Sequence, residues 1–487
     1  MDVRASLRLG IVGGLGALAG ADLLNRLVQA TPVRSEGDHR EILFEQRPLR
    51  EPVSPADPDY QPAHRKFYVY DTLARMERNG CDAALLPCFV THTFLNELRE
   101  ELGLRLVSMT DAIRNHVAAL PRQPRKIGVL TSPYVRNSGL FDRLFDGGIE
   151  VLYPQRPTEA AMLEAVYGAD GFKTGRRDGK VTEPVIRALE ELHAMGADLV
   201  VPGLTELPLL IEKLPGAAGM RVLNTATLYA EHALALTGAT ARRPFKVGVV
   251  GGVGPAATVD FLSKLVAGTD ARRDQDHLKV LVEQNPQIPD RTENLLGGGT
   301  DPSIALYSTC KKLERGGADI IAIPCNTAHA YLDRIQRHLD IPIVSILTVT
   351  ADHIRAAFPA VRKVGILATS GTIQSGLYQE ALEAAGLLPV VPDEAHQALV
   401  MEAIYGPQGV KAGRTSGLCR EQIVKAIEHL KAAGAEAAIL GCTELPLIAP
   451  EPGSAAIGQL IDPTQVLAAK CASLAQAAEH GPPSPEV

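Results

Sequence analysis

The chain has 487 residues and a net charge of −7, with 46% hydrophobic residues, 4% aromatic residues and no tryptophan. This length suits two to four domains of a soluble globular protein. Because lysines and arginines are spread along the chain and aromatic side chains are few, we expect neither a nucleic-acid-binding surface nor a stacking platform for bases.

The N-terminal segment MDVRASLRLGIVGG has no apolar run of signal-peptide length before its first strand-like part. No segment approaches the roughly 18 apolar residues of a membrane helix, so we expect a cytoplasmic protein without a membrane partner. The seven cysteines are odd in number and widely spaced, which argues against a disulfide framework. No Cys-x-x-Cys pair or other metal-ligand cluster is evident, and we predict neither a metal centre nor a cofactor.

Taken in chain order, short apolar strands alternate with amphipathic helical segments. The pattern is clearest in the second half, where the predicted strands are FKVGVVGG, KVLVEQ, DIIAIPC, PIVSIL, KVGILAT, LPVVP and AAILGC. Predicted helices such as PSIALYSTCKKLERGG and REQIVKAIEHLKAAG lie between them. This alternation indicates an α/β fold with parallel sheets covered by helices on both faces. Ligands of such sheets bind beyond the carboxyl ends of the strands.

The two halves of the chain are copies of each other. Three pairs of segments match at a spacing of 238 residues, and a fourth matches at 237: 11–28 with 249–266, 163–175 with 401–413, 199–208 with 437–446, and 87–92 with 324–329. We therefore predict a tandem duplication. The predicted domains are 1–240 and 241–478, with a linker near 236–246 and a disordered, proline-rich tail at 479–487.

Two predicted strands of the second copy end in a cysteine, Cys325 and Cys442, and each comes directly before a predicted helix start. A helix N-terminus stabilises an anion, so we expect thiolate pKa values below the ordinary value of about 8.5. The neighbours Asn326, Thr327 and Thr443 are suited to capping and to holding a carboxylate. A single buried cysteine is usually a small core residue. Two of them on sheets that face one cleft favour acid and base chemistry on opposite faces of one carbon.

Five motifs of the second copy together resemble the aspartate/glutamate racemase family, the cofactor-independent amino-acid racemases. They are GGVGP (251–255), NPQIPDRT (285–292), PCNTAH (324–329), IYGPQGVKAG (404–413) and GCTELP (441–446). The second and fifth motifs are more similar to the aspartate racemase branch than to the glutamate racemase branch. The resemblance implies that each copy has two doubly wound parallel-sheet subdomains, with the active site in the cleft between them.

The resemblance also implies a two-base reaction without a cofactor. One cysteine, as a thiolate, removes the α-proton, and the other, as a thiol, returns a proton to the opposite face. The implied site residues are the acid–base pair Cys325 and Cys442, Arg291 and Lys411 for the distal carboxylate, and Asn326, Thr327 and Thr443 for the α-carboxylate. Gly252 is predicted to let the backbone approach the substrate closely, and Glu444 to support Cys442.

The first copy has lost the polar part of this site. It keeps Cys88, but Leu204 replaces the second cysteine, and Phe89 and Val90 replace the polar pair after the first. Val53 falls opposite the substrate-binding arginine. Because leucine cannot move a proton, we predict that the first unit does not racemise amino acids. Its predicted roles are, in order, a built-in structural partner (an internal pseudo-dimer), a pocket for a less polar ligand, and one-thiol chemistry.

The predicted function is therefore racemisation of aspartate or glutamate by the second unit. Two alternatives stay open: another reaction of a 2-substituted acid, such as maleate isomerisation or hydantoin racemisation, and a non-catalytic amino-acid-binding protein. Two cations favour an acidic substrate over a hydantoin, and two thiols favour catalysis because binding requires neither. The expected partner is a small amino acid, and whole chains could pair further into a homo-oligomer.

Overall fold

The computed structural model describes residues 7–214, 221–236, 243–450 and 458–480, apart from the side chains of 479 and 480. The chain divides into two compact units, Met1–Arg243 and Pro244–Val487. Most of the predicted linker, and the predicted tail from residue 481 onward, lie outside the described residues. No helix within the described ranges combines the length and the apolar character that crossing a membrane requires.

The first unit contains two parallel sheets. Its strands are β1 (Leu9–Val12), β2 (Ile42–Glu45), β3 (Ala83–Leu85), β4 (Arg105–Leu106), β5 (Lys126–Leu130), β6 (Glu150–Leu152) and β7 (Leu199–Pro202). The strand orders are β2-β1-β3-β4 and β6-β5-β7, and every pairing is parallel. The wholly buried strands β1 and β7 are continuous apolar runs, which is the pattern expected of strands covered on both faces.

Helices connect these strands and cover the sheets. They are α1 (Ala17–Ala30), α2 (Ala63–Arg78), α3 (Phe89–His92), α4 (Leu95–Arg99), α5 (Met109–Ala118), α6 (Pro133–Asn137), α7 (Leu140–Leu144), α8 (Arg156–Tyr167), α9 (Gly179–Ala194), α10 (Leu207–Ile211) and α11 (Thr225–Leu234). Two short 3₁₀ helices lie at Glu36–Asp38 and Phe172–Thr174.

The second unit repeats this topology, with one more strand described in its second sheet. Its strands are β8 (Lys246–Gly251), β9 (Lys279–Gln284), β10 (Ile320–Ala322), β11 (Ile343–Val344), β12 (Lys363–Leu367), β13 (Leu388–Val390), β14 (Ala437–Leu440) and β15 (Gln459–Ile461). The orders are β9-β8-β10-β11 and β13-β12-β14-β15, again with parallel pairing throughout. The segment PIVSIL was predicted as one strand, but Ser345 caps a helix that begins at Ile346, so only its first part is β11.

The helices of the second unit are α12 (Pro255–Ala267), α13 (Arg291–Leu295), α14 (Ser303–Arg315), α15 (Leu332–Gln336), α16 (Ile346–Ala357), α17 (Ser370–Gln374), α18 (Leu377–Ala384), α19 (Glu394–Tyr405), α20 (Leu418–Ala432) and α21 (Pro463–His480). Its 3₁₀ helices are Asp274–Asp276, Thr327–Tyr331, Val410–Ala412 and Leu445–Leu447. The predicted α/β class, with two parallel-sheet subdomains in each copy, is confirmed.

The register of the paired strands places the predicted site residues at the same ends of the sheets. In the second sheet of this unit Leu367 pairs with Leu440, so Thr369 and Cys442 each lie two residues beyond the same level. In the first sheet Ala322 at the end of β10 pairs with Val249 in β8. The residues after these strands therefore come together at the carboxyl edges of the sheets, where ligands of parallel sheets bind.

Candidate active site

The carboxyl ends of the two sheets of the second unit meet at one small cavity. Eight of the nine predicted site residues line it: Arg291, Cys325, Asn326, Thr327, Lys411, Cys442, Thr443 and Glu444. The remaining lining residues are Val253, Thr292, Thr369 and Tyr405. The free volume is about 10 Å³, which is the room that roughly one water molecule needs. The site is therefore closed in this conformation.

Cys325, at the first sheet, has a cationic neighbour. The Arg291 side chain, at the start of α13, is buried and lines the cavity beside this thiol. Burial alone lowers the pKa of Arg291, but its interaction with Cys325 raises it by more, so the guanidinium stays charged. Arg291 also donates to the Pro289 carbonyl oxygen at 3.0 Å, which fixes its orientation. No ion pair with a carboxylate is present for Arg291 within the described ranges.

Cys442, at the second sheet, has an anionic neighbour instead. Its Sγ donates to Glu444 Oε2 at 3.1 Å, and both side chains are buried. Lys411 Nζ lies 3.8 Å from the other carboxylate oxygen of Glu444. Burial lowers the pKa of Lys411, but the charges of Glu444 and Cys442 raise it by more. Lys411 is therefore a charged side chain at the wall of the cavity.

The predicted low pKa of the thiol at Cys442 is wrong. Burial, together with the charge of Glu444, raises the pKa of Cys442 well above its ordinary value, although Lys411 opposes this shift. The predicted helix starts after the two cysteines are wrong as well. Each cysteine is followed first by a 3₁₀ turn, at Thr327–Tyr331 and at Leu445–Leu447, and such short turns lack the aligned peptide dipoles of a long helix.

Two buried donors in the cavity wall lack a partner. Arg291 Nε and Asn326 Nδ2 are buried without a hydrogen bond to any described residue, whereas Asn326 Oδ1 accepts from the Tyr378 hydroxyl at 2.7 Å. That hydrogen bond orients the amide so that its NH₂ group is left free. Because an unpaired buried donor is costly, these two groups suit an anionic ligand such as a carboxylate.

A threonine network that was not predicted lies beside Asn326. Thr327 Oγ1 lies 2.8 Å from Thr372 Oγ1 and 3.3 Å from Thr369 Oγ1, and Thr292 donates to Thr369 at 3.0 Å. Thr292 and Thr369 line the cavity; Thr292 lies in α13, in the part of the unit with the first sheet, and Thr369 follows β12 of the second sheet. The network therefore ties the two walls of the cavity together. Thr327 was a predicted site residue and Thr292 ends the NPQIPDRT motif, whereas Thr369 and Thr372 were not singled out in the sequence.

Tyr405 was also missed, although it repeats as Tyr167 in the first unit. It ends α19 and lies under Lys411, whose Nζ is 4.7 Å from the ring centroid. Burial raises the pKa of Tyr405 to about 12, so its hydroxyl is a hydrogen-bond donor at neutral pH. It donates to Asp290 Oδ2 at 3.2 Å.

Gly252 and Gly254, in the predicted glycine loop, approach different groups. Gly252 (φ +85°) is not among the lining residues, and a Cβ there would lie 2.4 Å from the backbone carbon of Asn285. Its close approach in this conformation is thus to the chain's own backbone, and the approach to a substrate stays a prediction. Gly254 (φ +121°) supports the site instead, because a Cβ there would lie 2.3 Å from Glu444 Oε1.

His329 holds the first cysteine loop in place. Its Nε2 accepts from the Ile346 backbone N–H at 3.1 Å, and its Nδ1 donates to the Cys325 carbonyl oxygen at 2.9 Å. Complete burial lowers the pKa of His329 to about 4. A neutral imidazole thus connects the end of β10 to the start of α16. His92 makes the same contacts with Cys88 and Met109 in the first unit.

In the corresponding region of the first unit, a carboxylate of the same unit neutralises the arginine beside the cysteine. Arg65 Nη1 donates to Cys88 Sγ at 3.0 Å, and the same guanidinium forms a buried salt bridge with Glu51. The Tyr60 hydroxyl donates to Glu51 as well, at 2.7 Å. Leu204 is buried in an apolar cluster. Arg65 was missed because it comes from α2, whereas the repeat register pointed to the loop before it.

A family model described as Asp/Glu/Hydantoin racemase matches residues 12–233 and 250–471, once in each unit. The chain belongs to this racemase family. It is 30% identical over 207 residues to the broad specificity amino-acid racemase RacX of Bacillus subtilis (strain 168), covering 41% of this chain and 85% of RacX. The glutamate racemase of Corynebacterium diphtheriae is 34% identical over 142 residues, 28% of this chain and 49% of that enzyme.

Among solved structures, the aspartate racemase of Picrophilus torridus is similar to this racemase-family chain. The sequence identity is 32% and the TM-score 0.43, and the match covers 48% of this chain and 94% of that structure. The family model and the two racemase sequences confirm the predicted resemblance, the tandem arrangement and the enzyme class, a racemase.

Proposed function

We propose that the second unit interconverts the L and D forms of an acidic amino acid, aspartate or glutamate, by two-cysteine acid–base catalysis without a cofactor. The observation that carries this proposal is the lining of one cavity by two thiols, Cys325 and Cys442, and two cations, Arg291 and Lys411. A binding protein requires no pair of thiols, and a substrate with a single carboxylate requires no second cation.

The neighbours of the two thiols assign their resting roles. Cys325 lies against the Arg291 guanidinium, so we assign it as the base. Cys442 holds its proton in a hydrogen bond to Glu444, so we assign it as the acid. In the forward reaction the α-proton moves from Cα to Cys325 Sγ. The electron pair left on Cα then takes the proton of Cys442 on the opposite face, which leaves Cys442 as the thiolate.

Carbanion formation requires positive charge and donors close to the substrate. The unpaired Asn326 Nδ2, with Thr327 and Thr443 beside it, would hold the α-carboxylate. Arg291 and Lys411 would hold the distal carboxylate, because both are charged and line the cavity. These charges act strongly in this setting, since a cavity of about 10 Å³ excludes bulk water.

A substrate larger than one water molecule requires this cavity to open. The threonine contacts between Thr292, Thr327 and Thr369 join its walls and have to part on entry. A closed resting site that opens for exchange is a common arrangement in enzymes that keep water from the reacting atoms.

We further propose that the first unit does not racemise. It has no second thiol in the described site, and Glu51 already neutralises Arg65 in the manner of a bound carboxylate. Phe89 and Val90, which replace the polar pair of the second unit, are buried in the apolar core. Its first proposed role stays that of a structural partner for the second unit.

The test is chiral chromatography of aspartate, glutamate, neutral amino acids and a hydantoin after incubation with the reduced, purified chain, with maleate isomerisation followed in parallel. Racemisation of one acidic amino acid supports the proposal and names the substrate. Turnover only of the hydantoin or of maleate would contradict it. The absence of all turnover, together with tight binding of an amino acid, would instead indicate a binding protein.

A further inference from the structure

A second cluster of ionisable side chains lies on the second unit, apart from the cavity lining. Asp393 caps the start of α19, His396 follows one turn into that helix, and His429 lies in the last turn of the neighbouring α20. Asp393 Oδ1 is 2.6 Å from His396 Nδ1, and Asp393 Oδ2 is 3.7 Å from His429 Nδ1. The two imidazole rings stack with centroids 4.0 Å apart.

The three side chains are of the kinds that bind transition-metal ions. Each of the three residues offers a ligand atom, and these atoms all lie within 4.8 Å of one another. The side chains are 54% (Asp393), 31% (His396) and 23% (His429) exposed, so water has access to complete the coordination. Two imidazoles and one carboxylate suit Zn²⁺ or a similar divalent transition metal, whereas Mg²⁺ and Ca²⁺ prefer oxygen ligands alone.

The first unit supplies an internal comparison. Gln155, Thr158 and Glu191 occupy the three positions 238 residues earlier. There the Gln155 N–H donates to Glu191 Oε1 at 2.7 Å, and this contact joins the same pair of helices. In the second unit the Asp393 N–H donates to His429 Nε2 at 3.3 Å. Holding the helices together thus requires no histidine.

Only the second unit has metal-ligand side chains of the histidine and aspartate type at all three positions. A difference between the units at one of these positions would be an ordinary surface substitution. The differences at all three positions together supply the ligand set of the second unit. The fold brings these three residues together, because residues 393 and 396 are distant in sequence from 429.

We propose that Asp393, His396 and His429 form a binding site for Zn²⁺ or a chemically similar transition-metal ion. The ion joins the start of α19 to the end of α20. Because α19 ends at Tyr405 in the cavity wall, the metal holds the helix that presents this tyrosine. The site does not depend on the proposed racemase activity.

The test uses the full chain without an affinity tag, kept reduced, and Zn²⁺ as the probe. Competition with a chromophoric chelator gives the stoichiometry and the affinity. We expect one Zn²⁺ per chain and a loss of affinity of about tenfold or more in His396→Thr and His429→Gln. The first substitution copies the first unit, and the second keeps an acceptor for the Asp393 N–H without supplying a carboxylate. His277→Ala, which removes an exposed histidine elsewhere in the unit, is the control and should bind normally.

A spectrum with Co²⁺ distinguishes this site from the cysteines. Coordination by imidazole and carboxylate produces no thiolate-to-metal charge-transfer absorption, whereas binding to Cys325 and Cys442 does. The double variant Cys325→Ser, Cys442→Ser should therefore still bind one ion. Absence of binding, equal affinity in the histidine variants, or loss of the ion in the cysteine variant would each overturn the proposal.

Discussion

The hydrogen bond from Cys442 to Glu444 predicts that one substitution, Glu444→Gln, will accelerate alkylation of Cys442 and slow racemisation at alkaline pH. Glu444→Gln removes the negative charge 3.1 Å from the sulfur while keeping the size of the side chain. A hydrogen bond to a buried charged group contributes about 1.5–3 kcal/mol. At about 1.4 kcal/mol for each factor of ten, the thiolate population of Cys442 should rise about 10- to 100-fold at a given pH.

Alkylation by iodoacetamide, followed by mass spectrometry of the peptide that contains Cys442, measures this population because the thiolate is the reacting form. The reaction at Cys442 should accelerate in the variant. Racemisation should slow at alkaline pH, since a two-base reaction needs one thiol and one thiolate and Cys442 of the variant loses its proton at a lower pH than in the unmodified chain. The alkaline limb of the pH–rate profile should move to lower pH.

Glu206→Gln in the first unit is the matched control, because that glutamate pairs with Lys173 but has Leu204 where the cysteine would be. It should change neither the Cys442 reaction nor racemisation. If Glu444→Gln left the alkylation rate of Cys442 unchanged in a folded protein, the reasoning about this hydrogen bond would be refuted.

Three further predictions concern other parts of the chain. Leu204→Cys, in a Cys442→Ser background, should give no racemisation by chiral chromatography, because Glu51 neutralises Arg65; measurable turnover would contradict the account of the first unit. Gly254→Ala should abolish turnover, since its Cβ would meet Glu444, whereas Gly297→Ala, which shares a positive φ but has open space, should keep it; equal activities would exclude this role of Gly254. Finally, His92 and His329 have pKa values of about 4 when folded and about 6.5 when unfolded, so the unfolded chain binds more protons between these values and stability falls as pH falls. Denaturant titrations at pH 7 and pH 5 should show that the free energy of unfolding falls by about 2 kcal/mol for each histidine. His329→Gln should remove the pH-dependent loss that arises in the second unit; an unchanged pH dependence in this variant would contradict the role of His329.

The sequence was sufficient for the features that repeat or that follow strands. The 238-residue register between Gly13 and Gly251 revealed the duplication, and strand–helix alternation predicted the parallel sheets. Cys325 and Cys442 could be paired because both follow buried strands whose carboxyl ends meet. The motif GCTELP also predicted correctly that Glu444 lies beside a cysteine.

Features that depend on the packing of distant segments could not be predicted. Arg65 reaches Cys88 from a helix, and nothing local in the sequence indicates where a long side chain will end. The high pKa of Cys442 results from burial next to Glu444, and pattern alone gives no measure of burial. Gly252 and Gly254 share one motif and a positive φ, but only the fold shows that the second one makes room for a carboxylate.

The central claim is that two thiols of the second unit exchange the α-proton of an acidic amino acid. Proton NMR of L- and D-aspartate and of L- and D-glutamate in heavy water tests it most directly, with the reduced chain and its Cys325→Ser, Cys442→Ser and Cys88→Ser variants. We expect the α-proton signal of one acidic amino acid to disappear from both enantiomers with the unmodified chain and with Cys88→Ser, and racemisation to be lost in the other two variants. Full activity in Cys325→Ser or Cys442→Ser, or loss of activity in a folded Cys88→Ser variant, would contradict the account.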